Sequence, residues 1–352
     1  MRRIDPRITH RRPELSQHFL RDAGVARALV RRLAFPPGAL VIEAGAGDGL
    51  LTEALADAGF RVIAIEKDER LYSVLRARCA RRPNVTCHHA DFLTFPLPST
   101  AYRAVSNVPY GITAALVRKL LHAARPPDDA VLIVQREAAE KFAGTPRETR
   151  FSLLHKPWFE ISIAGAVRRQ HFVPPPRVHS VLLRLRRREA PLIAARSGPA
   201  YRTFISTSFG HGAPEVSHAL RRHLTARQIK RLGHDLGFSR DSRASQLSFG
   251  QWLSIFRFVE HECLGHDPTR CVASQPHVMR AAAVAVRGGR THGSAATADY
   301  ELPTTNYSNI FFGAPEGWRR KLWTSQRLKP PDSTSSKQAR PGLARVSCTR
   351  SA

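Results

Sequence analysis

The feature that most constrains the fold is a repeated alternation of short apolar runs with longer segments of helical pattern. Five apolar runs occur at residues 40–42, 61–65, 85–88, 104–106 and 130–134. They are separated by roughly 15–25 residues, enough for a crossover helix between parallel strands. This alternation is typical of an α/β layer fold. Two late strands are predicted at 161–164 and 181–185, the second of them edge-like, with one wet face.

The pattern changes near residue 190. Residues 13–190 form the predicted α/β domain, and residues 191–262 are assigned to a small helical domain. In that domain Thr225 is expected to cap a helix over 226–232 and Gly233 to end it. A second helix is predicted over 248–259, where the apolar side chains fall on one face. They are Trp252, Ile255, Phe256 and Val259.

Charge is the strongest compositional signal. The 352 residues include 55 Lys and Arg against 28 Asp and Glu, a formal net charge of +27. Cationic side chains neutralise phosphates, so nucleic acid is the favoured partner. A membrane is disfavoured, because no basic helix has a large apolar face and no run of about 18 apolar residues occurs. The basic segments 1–12 and 263–352 lack sustained periodicity and are predicted to be a flexible N-terminus and a tail of low order.

Cysteine usage indicates the compartment. The chain has five cysteines and no CxxC pair. An odd number, in a chain whose basic N-terminus is not followed by an apolar stretch, is typical of a reduced, cytoplasmic protein. Cys87, His88 and His89 look like a metal motif, but neighbouring residues of a strand point to opposite faces. We therefore predict a cytoplasmic protein without a metal site.

A candidate cofactor site follows the first predicted strand. Glu43 ends that strand, and three glycines follow at alternate positions, Gly45, Gly47 and Gly49. Dinucleotide folds use GxGxxG to place a helix N-terminus under a pyrophosphate, whereas GxGxG suits a ligand without phosphate. Glu66 and Asp91 follow the next two strands, placed to accept from ribose hydroxyls and from an adenine amine. Any one of these features alone is an ordinary turn or cap, but together they predict S-adenosylmethionine.

A candidate catalytic turn follows the fourth predicted strand. The sequence Asn107-Val108-Pro109-Tyr110 has the [NDS]-x-P-[YF] form of methyltransferases that act on exocyclic amines. The Asn107 oxygen and a backbone carbonyl near Pro109 would accept both amine hydrogens and turn the nitrogen lone pair towards the methyl group. Pro109 would fix that carbonyl, and Tyr110 would offer a face to the base. The plain alternative is an Asn-x-Pro turn without chemistry.

These motifs resemble the Erm/KsgA superfamily of ribosomal RNA adenine methyltransferases over residues 15–262. The matching stretches are 16–20, 43–49, Glu66, Asp91, 107–110 and 172–178. The resemblance implies a Rossmann-like methyltransferase sheet with a small C-terminal helical domain. It implies cofactor contacts at His18, Leu20, Gly45, Glu66, Asp91 and Asn107. It also implies that Tyr110 and Phe172 surround a flipped adenine. His18 departs from the Erm pattern, which more often has Asn there.

Two stretches, 107–113 and 247–256, look more like the Erm branch, which methylates 23S rRNA and confers macrolide–lincosamide–streptogramin B resistance. The 16S branch usually has Asn where this chain has Gly111. The resemblance thus implies a monomer that binds 23S rRNA before the ribosome is fully assembled. The alternatives are a 16S rRNA dimethylase, a DNA adenine methyltransferase, or a non-catalytic nucleic-acid-binding protein on the same fold. The intact glycine loop, Glu66, Asp91 and Asn107 argue against the last of these.

Three arginines flank the predicted base pocket. Arg168, Arg169 and Arg177 lie on either side of Phe172 in the sequence. Runs of charge are often only a solvated surface. Their position beside the pocket favours contacts with the RNA backbone.

Overall fold

The computed structural model describes residues 18–209 and 215–265, with side chains described as far as residue 262. The predictions for segment 1–12 and for nearly all of segment 263–352 therefore lie outside the described residues. Within the two described segments, no helix is long and apolar enough to cross a membrane.

Nine strands in the described residues form two sheets. In chain order they are β1 (Phe19–Leu20), β2 (Leu40–Ala44), β3 (Arg61–Glu66), β4 (Val85–His89), β5 (Arg103–Asn107), β6 (Asp129–Gln135), β7 (Phe159–Val167), β8 (Phe172–Val173) and β9 (Ser180–Arg187). Seven of them form one sheet in the order β4-β3-β2-β5-β6-β9-β7, and β1 pairs with β8 in a separate ribbon. Strands β2 to β6 are parallel, and β9 runs antiparallel to both of its neighbours.

Ten α-helices lie in the described residues, six of them within the sheet region. They are α1 (Ala23–Val30), α2 (Leu50–Asp57), α3 (Glu69–Cys79), α4 (Thr113–Leu121), α5 (Arg136–Ala143), α6 (Arg150–His155), α7 (Gly198–Ser208), α8 (Val216–Leu220), α9 (Ala226–Leu236) and α10 (Phe249–Gly265). A mixed sheet flanked by helices, followed by a helix-rich region, confirms the predicted Rossmann-like fold class.

Each inner strand contributes alternate side chains to two separate cores, one on each face of the sheet. Ile42 and Leu132 enter one core together with Leu116 and Leu120 of α4. Their neighbours in the strands enter the other core, which also receives apolar side chains from α1 and α2. Those side chains include Val41, Ile133, Ala26, Val30, Leu51 and Leu55. Burial on both faces explains why these strands have uninterrupted apolar sequences.

Helix α10 packs as its sequence pattern predicts. Trp252 and Ile255 are fully buried and Phe256 is nearly so. The helix is also tied to the sheet region at its start, where the backbone N–H of Phe249 donates to Oε1 of Glu148 at 3.2 Å. The same buried carboxylate accepts from Ser152 Oγ at 2.7 Å and pairs with Lys156. Glu148 thus links the start of α10 to the sheet region.

Two local predictions are wrong. Strand β9 is not edge-like, because it lies between β6 and β7, and only its last two residues are exposed. Gly233 does not end helix α9, which continues to Leu236 and is capped by Gly237 at a φ of 71°. A Cβ at Gly233 would lie 2.7 Å from the carbonyl oxygen of Phe238. Gly233 is therefore a point of close backbone approach. The predicted cap at Thr225 is confirmed, since its side chain accepts from the N–H of Gln228.

The direction in which successive strands are added to the sheet reverses between β2 and β5. The chain runs from β2 outward through β3 and β4, then returns to the other side of β2 with β5 and β6. In open α/β sheets, ligands bind outside the carboxyl ends of the strands at such a switch point. The side chain of Ser106, near the end of β5, donates to the carbonyl of Ala44 at 2.6 Å and closes the gap between the two strand ends.

Candidate active site

The glycine loop after β2 lies at this switch point. Gly45, Gly47 and Gly49 have φ angles of 66°, 61° and 87°, in the left-handed region that favours glycine. A Cβ at Gly47 would lie 3.2 Å from Cε1 of Phe19, and one at Gly49 would lie 2.9 Å from Cδ1 of Leu75. Sequence and packing together therefore require bare backbone along this loop. The N–H groups of Gly45 and Ala46 both donate to the carbonyl of Ile65, which ties the loop to β3.

Glu66 lies beside the glycine loop at the end of β3. Its Oε2 accepts from the N–H of Gly47 at 2.8 Å, and its Oε1 accepts from the N–H groups of Lys67 and Asp68 at 2.9 and 2.8 Å. The carboxylate is only 4 % exposed. These three bonds hold it rigidly at the strand end. Oε2 accepts only the bond from Gly47, so one of its lone pairs can still accept a hydrogen from a ligand.

Asp91 follows β4 and is paired with a lysine. Its Oδ2 accepts from Nζ of Lys67 at 2.8 Å, and its Oδ1 accepts from the N–H of Leu93 at 2.8 Å. These bonds, the one from Lys67 above all, hold the pKa of Asp91 below its ordinary value. The Lys67 side chain is 75 % exposed, so this ion pair contributes little stability and opens at little cost.

Glu43 is a buried carboxyl near the end of β2. The glycine motif includes it among the predicted cofactor residues, and its side chain is only 1 % exposed. The hydroxyl of Thr52, in helix α2, donates to Oε2 at 2.6 Å. Burial raises the pKa of Glu43 to about 8. Through its bond to Thr52, the carboxyl helps to pack the loop on α2.

The catalytic turn begins at Asn107, the last residue of β5. Its Nδ2 donates to the carbonyl oxygen of His18 at 2.7 Å. Because the amide nitrogen is used in this way, Oδ1 is the atom left to accept a hydrogen from a substrate amine. The N–H of Val108 donates to the carbonyl of Ile133 at 3.1 Å, which keeps the turn aligned with β6.

Pro109 and Tyr110 complete the turn. A Cβ at Gly45 would lie 3.7 Å from Cδ of Pro109, so the glycine loop and the catalytic turn are in close proximity. The hydroxyl of Tyr110 is hydrogen-bonded to Ser180 Oγ at 2.9 Å, and its ring lies 5.4 Å from the ring of His18. Partial burial raises the pKa of Tyr110, against the opposing effect of the Ser180 bond. Tyr110 is thus a neutral, half-buried phenol at the mouth of the site.

The ribbon of β1 and β8 joins the N-terminal motif to the proline-rich loop. Leu20 is paired with Phe172, and Phe19 with Val173. Phe172 was expected to line the base pocket, but its ring is only 1 % exposed and packs in the core with Leu20 and Val30. The apolar strand pairing buries Phe172 in this structure, whereas Tyr110 is half-buried. The roles of both rings at the base remain predictions.

An open basic groove lies beside the ribbon. It has a volume of about 590 Å³ and is lined by Arg21, Arg168, Arg169, Gln170, Pro175 and His179. No carboxylate is among its lining residues. Two of the predicted RNA contacts, Arg168 and Arg169, are thus brought together, and Nε of Arg169 is further fixed by the carbonyl of Pro176 at 2.6 Å. Arg177 is exposed on the same loop but does not line the groove.

The two histidines of the metal-like motif have separate aromatic neighbours. The ring of His88 lies 5.0 Å from Phe95, and that of His89 is stacked on Tyr72 at 5.1 Å. Within the described segments, no cluster of three or more His, Cys, Asp or Glu side chains is arranged to hold a metal ion.

Sequence reasoning missed three residues of the site: Phe19 over Gly47, Lys67 on Asp91, and Ser180 on Tyr110. Phe19 is part of the 16–20 motif that carried the resemblance, so its neighbours pointed to it. Lys67 and Ser180 gave no signal, because each acts through a contact with a residue distant in the sequence.

The residues present fit S-adenosylmethionine. At Gly47 the missing side chain makes room for the ring of Phe19, whose Cε1 would lie 3.2 Å from a Cβ there, and Oε2 of Glu66 binds the N–H of the same residue at 2.8 Å. Glu66 would hold ribose hydroxyls, and Asp91 would hold an adenine amine once Lys67 moves aside. When bound, this cofactor supplies an electrophilic methyl group. Asn107 would orient the substrate amine, and Tyr110 would cover the base and help to exclude water.

A sheet of this order, with its crevice between β2 and β5, is that of the S-adenosylmethionine-dependent methyltransferases. Residues 8–261 match the model of the family described as ribosomal RNA adenine dimethylase. The chain belongs to this family and is an rRNA adenine N6-methyltransferase that uses S-adenosylmethionine.

Individual relatives agree with this assignment. An rRNA adenine N-6-methyltransferase of Aeromicrobium erythreum is 37% identical over 256 residues, which cover 70% of this chain and 73% of the relative. The ribosomal RNA small subunit methyltransferase A of Thermotoga neapolitana is 32% identical over 246 residues, covering 69% and 89%. The crystal structure of the 23S rRNA methyltransferase ErmE is similar with a TM-score of 0.64 and 32% identity, covering 69% of this chain and 99% of that one.

We expect Glu66→Ala to weaken S-adenosylmethionine binding by about 1.5–3 kcal/mol, the range of hydrogen bonds to a charged group. Calorimetry on the RNA-free protein measures this. Glu69→Ala is the matched control, since Glu69 is exposed in the first turn of α3. An unchanged affinity in a folded Glu66→Ala protein would remove this carboxylate from the cofactor site.

Proposed function

We propose that this enzyme methylates the N6 amine of a specific adenine in 23S rRNA and thereby confers resistance to macrolide, lincosamide and streptogramin B antibiotics. The Asn107–Tyr110 turn, held beside the glycine loop, supports methylation of an adenine amine, because Oδ1 of Asn107 is left to accept an amine hydrogen. The observation that carries the choice of 23S rRNA is the similarity to the 23S rRNA methyltransferase ErmE. Gly111, where the 16S branch usually has Asn, supports it further.

The second candidate is a 16S rRNA dimethylase. The small subunit methyltransferase of Thermotoga neapolitana favours it, because its identity to this chain is close to that of ErmE. Both candidates share the catalytic turn and the cofactor loop, so those residues do not distinguish them. The distinction has to be made on the substrate.

The basic groove supports a single-stranded or flipped RNA substrate. An adenine amine inside a helical stack is out of reach, so the target base must be turned out of the stack. We assign the backbone next to that base to the groove of Arg21, Arg168 and Arg169, which opens beside the proline-rich loop. Arg177 would add a contact at its rim. We also propose that residues 191–262 add RNA-binding surface, and that the enzyme acts as a cytoplasmic monomer on rRNA not yet fully assembled.

Primer extension on rRNA from cells that express the protein tests the proposed target. A dimethylated adenine cannot pair, so reverse transcriptase stops at one position. The proposal predicts a stop in 23S rRNA, absent with the Asn107→Ala variant, together with growth on a macrolide. A stop in 16S rRNA alone would support the second candidate and refute the first.

We expect Arg21→Gln and Arg168→Gln each to weaken RNA binding in a salt-dependent way. Each guanidinium that contacts a phosphate should add about 1 to the slope of log Kd against log salt concentration. The slope of each variant should therefore be smaller than that of the wild type by about 1. Titration of a short hairpin that carries the target adenine measures the slope. Arg61→Gln is the control, because Arg61 is exposed at the start of β3, at the opposite end of the sheet. Equal slopes in the Arg168→Gln and Arg61→Gln proteins would argue against a phosphate in the groove.

A further inference from the structure

His18 lies where three parts of the site meet. Its carbonyl oxygen accepts from Nδ2 of Asn107 at 2.7 Å. Its ring Nδ1 is 2.8 Å from the carbonyl oxygen of Pro174. The same ring lies 5.4 Å from that of Tyr110, at an angle of 40°. His18 thus contacts the proline-rich loop, at Pro174, and two residues of the catalytic turn, Asn107 and Tyr110.

The contact with Asn107 determines which end of the amide faces the substrate. A carbonyl oxygen only accepts, so the bond to His18 requires the nitrogen of the Asn107 amide on that side. A rotated amide would set two oxygens against each other. The position of the His18 carbonyl therefore keeps Oδ1 of Asn107 turned towards the amine that is to be methylated.

The ring of His18 in turn fixes that carbonyl. The paired register of the ribbon begins at Phe19, so residue 18 lies just outside the ladder of β1 and β8. The hydrogen bond from the ring to Pro174 extends the pairing by one residue. Because the Pro174 carbonyl only accepts, Nδ1 of His18 must carry the hydrogen. Without this bond the backbone at residue 18 would be free to move relative to β5.

We infer that His18 is a positioning residue for the methyl transfer and acts by holding the amide of Asn107 in its productive orientation. This inference rests on the catalytic role proposed for Asn107. It differs from a direct contact between the His18 side chain and the cofactor, because it acts through the ring Nδ1 and the backbone carbonyl, which bind Pro174 and Asn107. Loss of the ring donor should lower the rate of methyl transfer and leave cofactor affinity intact.

Three variants separate the two roles. His18→Leu and His18→Ala remove the donor. His18→Asn restores it, because Nδ2 of Asn and Nδ1 of His are both bonded to Cγ and can occupy the same place. The rate is measured in a single turnover with saturating cofactor and RNA, and the cofactor Kd by calorimetry without RNA. Thermal unfolding of each variant shows whether it is folded.

We expect the donor-free variants to lose about 10- to 100-fold in rate, since a small misplacement of a reacting group has effects of this size. Cofactor Kd should stay within about threefold, and His18→Asn should recover most of the rate. In an Asn107→Ala background, His18→Ala should have almost no further effect, because the two residues act as one unit. A cofactor Kd raised tenfold with an unchanged rate at saturation would overturn the inference, as would the absence of rescue in a folded His18→Asn protein.

A measurement without RNA or cofactor keeps this inference separate from the proposed function. The side-chain amide of Asn107 is identified in the ¹⁵N NMR spectrum by its loss in Asn107→Ala. We expect this signal to shift, and its exchange with water to quicken, in His18→Ala but not in His18→Asn. An Asn107 signal that is the same in all three proteins would overturn the inference. If instead the target is 16S rRNA, this result stands and only the proposed substrate fails.

Discussion

Replacing Asn107 with alanine should lower the single-turnover rate of methyl transfer by about 10²–10³-fold, the effect of removing one hydrogen-bonding group aimed at a reacting centre. An adenine amine is a poor nucleophile, because its lone pair is delocalised into the ring. Oδ1 of Asn107 counters this by accepting an amine hydrogen as the nitrogen becomes pyramidal. Since the bond strengthens only during the reaction, the loss should appear in kcat, with the Kd for RNA nearly unchanged.

Two variants control this experiment. Asn84→Ala is the matched substitution, because Asn84 also donates through Nδ2 to backbone carbonyls, those of Ala56 and Phe60, but lies before β4. It should keep the wild-type rate. Asn107→Asp keeps the acceptor but loses the donor to His18, so its rate should fall between those of wild type and Asn107→Ala. A change in KM alone for Asn107→Ala would mean that Asn107 binds RNA and does not assist the reaction.

The second large effect concerns stability. Glu43→Gln should make the protein more stable than wild type at alkaline pH, by as much as about 4 kcal/mol, and should leave its stability nearly unchanged in acid. Burial raises the pKa of Glu43 to about 8 in the folded protein, against 4.5 for the ordinary side chain. The folded state therefore holds this proton more tightly than the unfolded state. Its stabilising effect is complete below about pH 4.5 and is lost as the pH rises through about 8.

Urea unfolding at pH values from 5 to about 9 measures this effect as the difference between the two proteins. Glutamine has nearly the shape of the protonated carboxyl and does not titrate, so the difference isolates residue 43. Glu69→Gln, exposed on α3, is the control for loss of a carboxylate. Parallel curves for wild type and Glu43→Gln across the whole range would show that Glu43 is ionised in the folded protein.

The sequence predicted well the strands that position the site residues, because strands depend on short-range patterns. All seven apolar runs became strands of the main sheet, and the residues at their ends, such as Glu66 and Asn107, came to one edge. This follows from strand direction alone, since the carboxyl ends of parallel strands share an edge. The positive φ angles of Gly45, Gly47 and Gly49 also agree with the composition of the loop.

The sequence did not predict contacts between distant segments. Strands β1 and β8 have two residues each, too few for any periodicity, yet their pairing buries Phe172 and brings His18 to Pro174. An aromatic residue in a proline-rich loop has the same appearance in a sequence whether its ring is open or buried. The carboxyl of Glu43 is similar, because only the packing of Thr52 and α2 around it shows that it faces the interior.

The two wrong local predictions have related causes. A glycine is typical of a helix end, but the helix continues past Gly233 to Leu236. The absence of a side chain at Gly233 instead allows the backbone of Phe238 to approach closely. The alternating end of β9 suggested an edge strand, yet the alternation covers only its last residues, which extend to the exposed rim of the sheet. In both cases the local pattern was compatible with more than one structure, and the tertiary contacts determined which of them formed.

The most direct test of the account supplies the purified protein with methyl-labelled S-adenosylmethionine and with protein-free 23S or 16S rRNA. The labelled RNA is digested to nucleosides and analysed by mass spectrometry, which also counts the methyl groups added. The account predicts N6-methylated adenosine from 23S rRNA, from a single site, and no label with Asn107→Ala. Label in 16S rRNA alone, or on any atom other than N6 of adenine, would contradict it.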